Sequence, residues 1–170
     1  MQLKNMIRSI PDFPKPGIVF RDITTLLKDP AGLNLAVDAL AETLKALDFD
    51  LVVGPESRGF IFGTPLAYSM KKGFVPARKV GKLPAATAKK AYALEYGSAE
   101  IEIHKDAVLP GQKVVIVDDL LATGGTALAV ADLLTELGAE VVSLCFLIEL
   151  SDLGGRARLA EYPVQSLLMY

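Results

Sequence analysis

The sequence predicts an α/β fold with a central, mainly parallel β-sheet flanked by helices. Three observations predict it. Leu51–Val53, Phe74–Val75, Val114–Val117 and Val141–Leu150 are short and mostly apolar, without strict alternation. Strands covered on both faces read this way. Segments with helical spacing of apolar residues lie between several of these runs. Finally, the runs end in loops rich in Gly, Asp, Arg and Lys, at the strand ends where α/β sheets bind ligands.

The bounds agree with such a domain. The 170 residues suit one domain, 1–170, with a substantial core. The chain is 51% apolar and 22% charged, which is ordinary globular composition. A net charge of −2 supplies no basic face, so neither nucleic acid nor a membrane surface is expected as a partner. Cys145 is the single cysteine and sits in an apolar run, so a buried structural thiol is expected. MQLKNMIRSI has no signal-peptide core, and no run reaches the roughly 18 apolar residues of a membrane helix. A soluble, cytoplasmic protein is therefore expected.

Pro11, Pro14, Pro16 and Gly17 keep residues 11–17 out of regular structure. Ile18, Val19 and Phe20 form a short apolar piece ended by Arg21-Asp22. Asp29-Pro30 is a helix start, with Asp as cap and Pro in the first turn. Leu33, Val37, Leu40, Leu44 and Leu47 then recur at helical spacing as a core-facing stripe. After the strand at 51–54 comes Pro55-Glu56-Ser57-Arg58-Gly59, followed by a helix over roughly 58–72 closed by Gly73. Ser57 is no nucleophile elbow, because position 55 is Pro rather than Gly. An exposed loop Arg is usually a solvated charge, but Arg58 lies on a helix start, where anions bind. Pyrophosphate binding is expected there, and Glu56 is assigned no role.

The strand at 74–77 leads into Arg78-Lys79-Val80-Gly81-Lys82-Leu83-Pro84-Ala85. Three cations at a strand's carboxyl end, beside another anion site, suggest a polyphosphate clamp rather than plain surface charge. Residues 91–104 change to a period of two around Gly97-Ser98, which reads as a β-hairpin. Inserted between the strands at 74–77 and 114–117, it is a candidate lid over about 80–106. Glu100, Glu102 and His104 are taken as its solvated face.

Val114–Thr126, VVIVDDLLATGGT, organises the rest. Four β-branched residues run into Asp118-Asp119, then Leu120-Leu121-Ala122 and Thr123-Gly124-Gly125-Thr126. A helix with Leu128, Leu133, Leu134 and Leu137 follows, stopped by Gly138. Glycines let backbone N–H groups approach an anion, and the helix start adds its own. A phosphate therefore fits at 123–126. Two carboxylates one loop away would repel phosphate; they suit ribose hydroxyls, with a divalent cation offsetting charge. A pair of solvated turn acids is the plainer alternative. The loop is neither a Walker A motif nor the spaced-glycine dinucleotide fingerprint. Ser151 is expected to cap a short helix, Gly154-Gly155 is assigned no phosphate, and Val164–Leu168 is a final edge strand.

VVIVDDLLATGGT closely resembles the phosphoribosyl pyrophosphate (PRPP) signature of the type I phosphoribosyltransferases. PDFPKPGIVFRDIT resembles the opening segment of the adenine-specific members. ESRGF, RKVGKLP and LEYG match further motifs, so the resemblance runs from about Arg8 to the end of the chain. It implies the type I phosphoribosyltransferase fold, with a hairpin lid and a short N-terminal base-binding hood. It also implies the reaction adenine + PRPP → AMP + pyrophosphate, in purine salvage.

The resemblance further implies roles. Asp118 and Asp119 would hold the ribose, and Ala122, Thr123, Gly124, Gly125 and Thr126 the 5′-phosphate of PRPP or AMP. Ser57, Arg58, Arg78, Lys79, Lys82 and Tyr96 would contact pyrophosphate, often with a strained peptide bond before the Ser. Val19–Arg21 would supply backbone hydrogen bonds to adenine, with Phe20 on one face and Leu120 on the other. Glu95 would be the acid/base for the purine. Mg²⁺ would be carried by PRPP, with no direct protein ligand assigned and Asp118 or Asp119 the candidates, and the enzyme would be a homodimer. Where many members follow the loop Pro with Gly, this chain has Ala85.

Two rivals stand beside this reading. A 6-oxopurine phosphoribosyltransferase would need a donor to O6, whereas adenine presents an amino donor; Val19–Arg21 and the Glu95 tip argue for adenine. A non-catalytic PRPP-sensing regulator of the same fold would need a nucleic-acid-binding element or a basic face, and the chain is slightly acidic.

Overall fold

The computed structural model describes residues 2–93 and 98–170. It divides into two compact units, 1–39 and 40–170. The N-terminal unit begins with α1 (Gln2–Asn5), β1 (Arg8–Pro11), β2 (Val19–Asp22) and α2 (Thr24–Leu27). β1 and β2 form an antiparallel pair, with Arg8 opposite Asp22 and Pro11 opposite Val19. The proline-rich stretch between them is the connection, so Pro11 belongs to a strand rather than to the irregular segment expected. Pro is tolerated there because the ladder ends with it. α3 (Pro30–Leu44) starts as predicted: Asp29 Oδ1 accepts the Ala31 N–H at 2.9 Å.

The C-terminal unit is built on a seven-stranded sheet. Its elements in chain order are β3 (Leu51–Pro55), α4 (Arg58–Ser69), β4 (Gly73–Lys79), β5 (Thr87–Ala93), β6 (Ser98–His104), β7 (Lys113–Leu121), α5 (Gly125–Glu136), β8 (Glu140–Glu149), a 3₁₀ turn (Ser151–Leu153), α6 (Gly155–Arg158) and β9 (Val164–Met169). The strand order is β5-β6-β4-β3-β7-β8-β9. β4, β3, β7, β8 and β9 run parallel, and the β5–β6 hairpin joins antiparallel beside β4.

Helices cover both faces of this sheet. Val53, Val114 and Ile116 pack in one core with Val130, Leu133 and Leu134 of α5. Val52 alternates to the other face, towards α4, where a Cβ added at Gly63 would lie 3.6 Å from Val52 Cγ1. Phe62 and Leu66 of α4 and Leu133 and Leu134 of α5 are fully buried, each worth about 1.5–3 kcal/mol relative to exposure. No helix among the described residues is long and apolar enough to cross a membrane. Cys145 is fully buried, as expected.

Several boundaries differ from the sequence reading. α4 ends at Ser69, and Gly73 opens β4 instead of closing the helix; Lys71, at φ 59, makes the turn between them. Asp118 and Asp119 lie within β7, which stays paired with β8 through Leu121. Residues 87–93, ahead of the expected start of the hairpin at 91, are already strand β5, paired with β6 from Thr87 onward. Ser151 makes no side-chain cap; Leu150 leads into the 3₁₀ turn, and Gly154 leads into α6.

Candidate active site

The strand order places a switch point at β3. The chain leaves β3 for β4 on one side and later returns to lay β7 on the other. The crevice at the carboxyl ends of these two strands is where such sheets bind ligands. A cavity of about 230 Å³ lies there. It is lined by Glu56, Ser57 and Arg58 after β3, and by Asp118 through Ala127 at the end of β7 and the start of α5, with Tyr92 of the hairpin. Ser57-Arg58, predicted for pyrophosphate, thus share one cavity with the distant Asp118-Asp119 and 122–126, predicted for ribose and phosphate.

The loop at 123–126 has the form an anion cradle needs. Gly124 has φ +78 and caps α5, a conformation L side chains rarely adopt. The N–H groups of Gly125, Thr126 and Ala127 occupy the first turn, and Leu128 N–H already closes back on Gly124 O at 2.9 Å. The first-turn donors and the helix dipole therefore face the cavity end.

The two acids are strongly perturbed. Asp119 is 2% exposed. Burial raises the Asp118 carboxyl well above its ordinary range, and the neighbouring Asp119 charge raises it further. Burial also raises Asp119, against the opposing pull of Arg58. Arg58 Nη1 lies 3.0 Å from Asp119 Oδ2. These acids are therefore not a solvated turn pair. A buried carboxylate beside a half-buried one fits hydroxyl donors or a cation delivered with a ligand. Among the described residues no cluster of three or more His, Cys, Asp or Glu could hold a metal by itself. A Mg²⁺ here fits only as an ion sharing one or two carboxylates with ligand oxygens.

The cationic loop is held from below. Glu56, which was assigned no role, accepts Arg78 Nε at 3.2 Å and the Lys79 N–H at 3.1 Å, and lies 3.5 Å from Lys82 Nζ. Burial pushes its carboxyl up, but these partners outweigh that and hold it below the ordinary range. The Glu56–Ser57 peptide is cis. Glu102 and His104 are not the solvated face expected of them. Ile101, Glu102 and Ile103 are all buried, because both faces of β6 are covered at this point. Period-two alternation cannot report that. Glu102 Oε1 accepts the N–H groups of Lys82 and Leu83, and His104 Nε2 accepts that of Ala85 at 3.3 Å. Glu100 is exposed, as predicted.

Of the remaining predicted site residues, Val19, Phe20 and Arg21 lie on β2 in the N-terminal unit. Phe20 packs edge-on against Phe13 at 5.3 Å between ring centroids. Leu120 lines the cavity. Glu95 and Tyr96 lie outside the described residues.

Comparisons with known proteins agree with this geometry. Residues 22–166 match the phosphoribosyl transferase domain family. An adenine phosphoribosyltransferase from Microcystis aeruginosa is 58% identical over 174 residues, covering all of both chains. The crystal structure of adenine phosphoribosyltransferase from Thermoanaerobacter pseudethanolicus is 56% identical, with a TM-score of 0.97 over 99% of this chain and 98% of that one. The Saccharomyces cerevisiae enzyme, solved with an imino-altritol bisphosphate and adenine, is 42% identical with a TM-score of 0.90, covering 96% and 94% of the two chains. The chain belongs to the phosphoribosyltransferase family, among its adenine phosphoribosyltransferases, with the type I fold.

Proposed function

We propose that the cavity at the β3–β7 switch point carries out adenine + PRPP → AMP + pyrophosphate, the transfer of purine salvage. The observation that carries this is the convergence of Ser57-Arg58, Asp118-Asp119 and the 122–126 loop on one cavity. Ala122, Thr123, Gly124, Gly125 and Thr126 take the 5′-phosphate, using first-turn N–H groups and threonine hydroxyls. Asp118 and Asp119 accept the ribose hydroxyls. Ser57, Arg58, Arg78, Lys79 and Lys82, with Tyr96, take the pyrophosphate. Val19, Phe20, Arg21 and Leu120 are assigned to adenine, in keeping with the resemblance of the opening segment.

The mechanism follows from charge. As the C1–oxygen bond of PRPP breaks and a purine nitrogen bonds to C1, positive charge develops on the sugar and negative charge on the departing pyrophosphate. Arg58, Arg78, Lys79 and Lys82 stabilise the latter. Glu95 manages the proton on the purine, a step worth about 10²–10⁴-fold where such groups act. The hairpin, within a lid of about 80–106, excludes water from the activated sugar. Asp118 or Asp119, with oxygens of PRPP, would hold Mg²⁺, which when bound neutralises polyphosphate charge. A single domain over 1–170, a homodimer and a cytoplasmic location belong to the same proposal and rest on the resemblance.

The test is nucleotide formation from PRPP and Mg²⁺ with adenine, hypoxanthine or guanine in parallel. AMP alone is expected. IMP or GMP would keep the PRPP site and overturn the adenine assignments. No nucleotide, with PRPP still bound, would favour a PRPP sensor.

A further inference from the structure

Glu102 is a carboxylate that the transfer chemistry does not use, yet it is 2% exposed. Burying a charge is unfavourable unless it is paired and hydrogen-bonded. Its partners are two N–H groups of the cationic loop and the side chains of Thr87 and Lys89 on β5. Oε1 accepts the N–H of Lys82 at 3.0 Å and of Leu83 at 3.1 Å, and Oε2 lies 3.9 Å from Lys89 Nζ. Arg78, directly across the β4–β6 ladder from Glu102, donates from Nη1 to the Lys82 carbonyl at 3.4 Å. The peptide groups around Lys82 are therefore gripped from both sides, by a carboxylate and by a guanidinium.

We propose that Glu102 is a positioning residue that pre-forms the pyrophosphate-binding loop before substrate arrives. The loop sets Arg78, Lys79 and Lys82, within five residues, against the single carboxylate of Glu56, so repulsion among the cations remains. A buried negative charge bonded to two of its N–H groups offsets that repulsion and fixes the Lys82 backbone, from which the side chain reaches Glu56. Charge-assisted bonds to backbone N–H are about twice as strong as neutral ones. Without them, PRPP would have to order the loop from its own binding energy, and the loss would appear as weakened PRPP binding rather than slower chemistry. The inference rests on the reading of Lys82 as a pyrophosphate ligand.

The experiment compares Glu102→Ala, Glu102→Asp, Glu102→Gln and Lys82→Ala by steady-state kinetics with PRPP and adenine. Glu102→Ala and Glu102→Asp are expected to raise the PRPP KM about tenfold while kcat and the adenine KM stay within about twofold. Asp keeps the charge but pulls it back by one methylene; Gln keeps the reach and one acceptor oxygen, and falls between Asp and wild type. A purely structural role would lower thermal stability and leave the PRPP KM unchanged. If Lys82→Ala raises the PRPP KM and the Ala and Asp variants at 102 do not, the positioning role is overturned and the clamp stands. If Lys82→Ala also leaves it unchanged, the clamp reading falls and this inference with it. Should Glu102→Ala not fold, the Asp and Gln variants decide the matter.

Discussion

Gly155 lies so close beneath Ala122 that a Cβ at 155 would fall inside the contact distance of the Ala122 carbonyl oxygen and 2.8 Å from Leu121 Cδ1. Gly124 is equally constrained from above, since a Cβ there would lie 2.9 Å from the Gly155 carbonyl oxygen. The α6 segment thus braces the back of the phosphate loop. It is itself anchored: Arg156 donates to both oxygens of Glu149, at 2.9 and 2.6 Å, and to the Val164 carbonyl at 2.8 Å. Arg158 Nη1 reaches the Thr123 carbonyl at 3.4 Å.

Gly155→Ala is therefore expected to push the Ala122 peptide out of place, because the obstacle is backbone and cannot swing aside. Overpacking of this kind costs about 1–3 kcal/mol. The variant should lose stability by that amount in a urea melt and show a raised PRPP KM. A stable variant with wild-type PRPP kinetics would mean that the brace yields freely.

Cys145 gives a second expectation. Its burial pushes the thiol up to about 12. At pH 8 the reactive thiolate is then scarce, and the group is sealed in β8. Native protein should resist iodoacetamide at pH 8, and unfolded protein should be alkylated at once, as read by intact mass. Rapid native labelling would show that β8 opens locally.

The pairing of β1 with β2 leads to a third. Asp22 has its carboxyl lowered to about 2, first by the Thr24 N–H at 2.9 Å and then by the Arg8 guanidinium and the Thr24 hydroxyl. A folded-state value below the ordinary 3.8 stabilises the protein above that pH, and the contribution is lost as pH falls through 2. Arg8→Ala should raise the Asp22 value only part of the way, because the larger contribution from Thr24 N–H remains. Titration of the Asp22 carboxyl carbon by NMR measures this. A return to the full ordinary value would mean that the Thr24 turn depends on Arg8.

The parts of the fold that were legible in sequence are those where one physical signal dominates. The β-branched run at Val114–Val117 and the glycines after it marked strand, loop and helix together. Gly138 stopped α5 as predicted, its N–H donating to Thr135 O at 2.9 Å. β1 was missed because Arg8–Pro11 has no alternation and ends in Pro; only its pairing with Val19–Asp22 makes it a strand. Glu56 and Glu102 were missed as functional residues for a related reason. A lone acid beside cations reads as surface charge until tertiary pairing buries it, and Glu102 is buried by chain segments 20 residues away. The brace at Gly155 shows only once β7 and β8 bring residues 122 and 155 together.

The perturbed acids give the most demanding expectation. The Asp118 carboxyl is pushed well above the ordinary 3.8 in the folded protein, by burial first and repulsion by Asp119 second. The folded state therefore binds a proton that the unfolded state releases, and stability falls as pH rises from about 3.8 through the folded-state value. Asp118→Asn removes the charge while keeping the oxygen that accepts the Asp119 N–H, a bond of 2.9 Å in the present protein. The variant and wild type should melt together near pH 4 and separate above it, with the variant the more stable at pH 7–8. The same substitution should depress transfer activity, because a carboxylate proposed to hold the ribose has been lost. The two readouts move in opposite directions only if the acids are a functional strain on the fold. Parallel melting curves at all pH values would show that Asp118 is solvated as a charge, and would remove the reason for treating the pair as a built binding site.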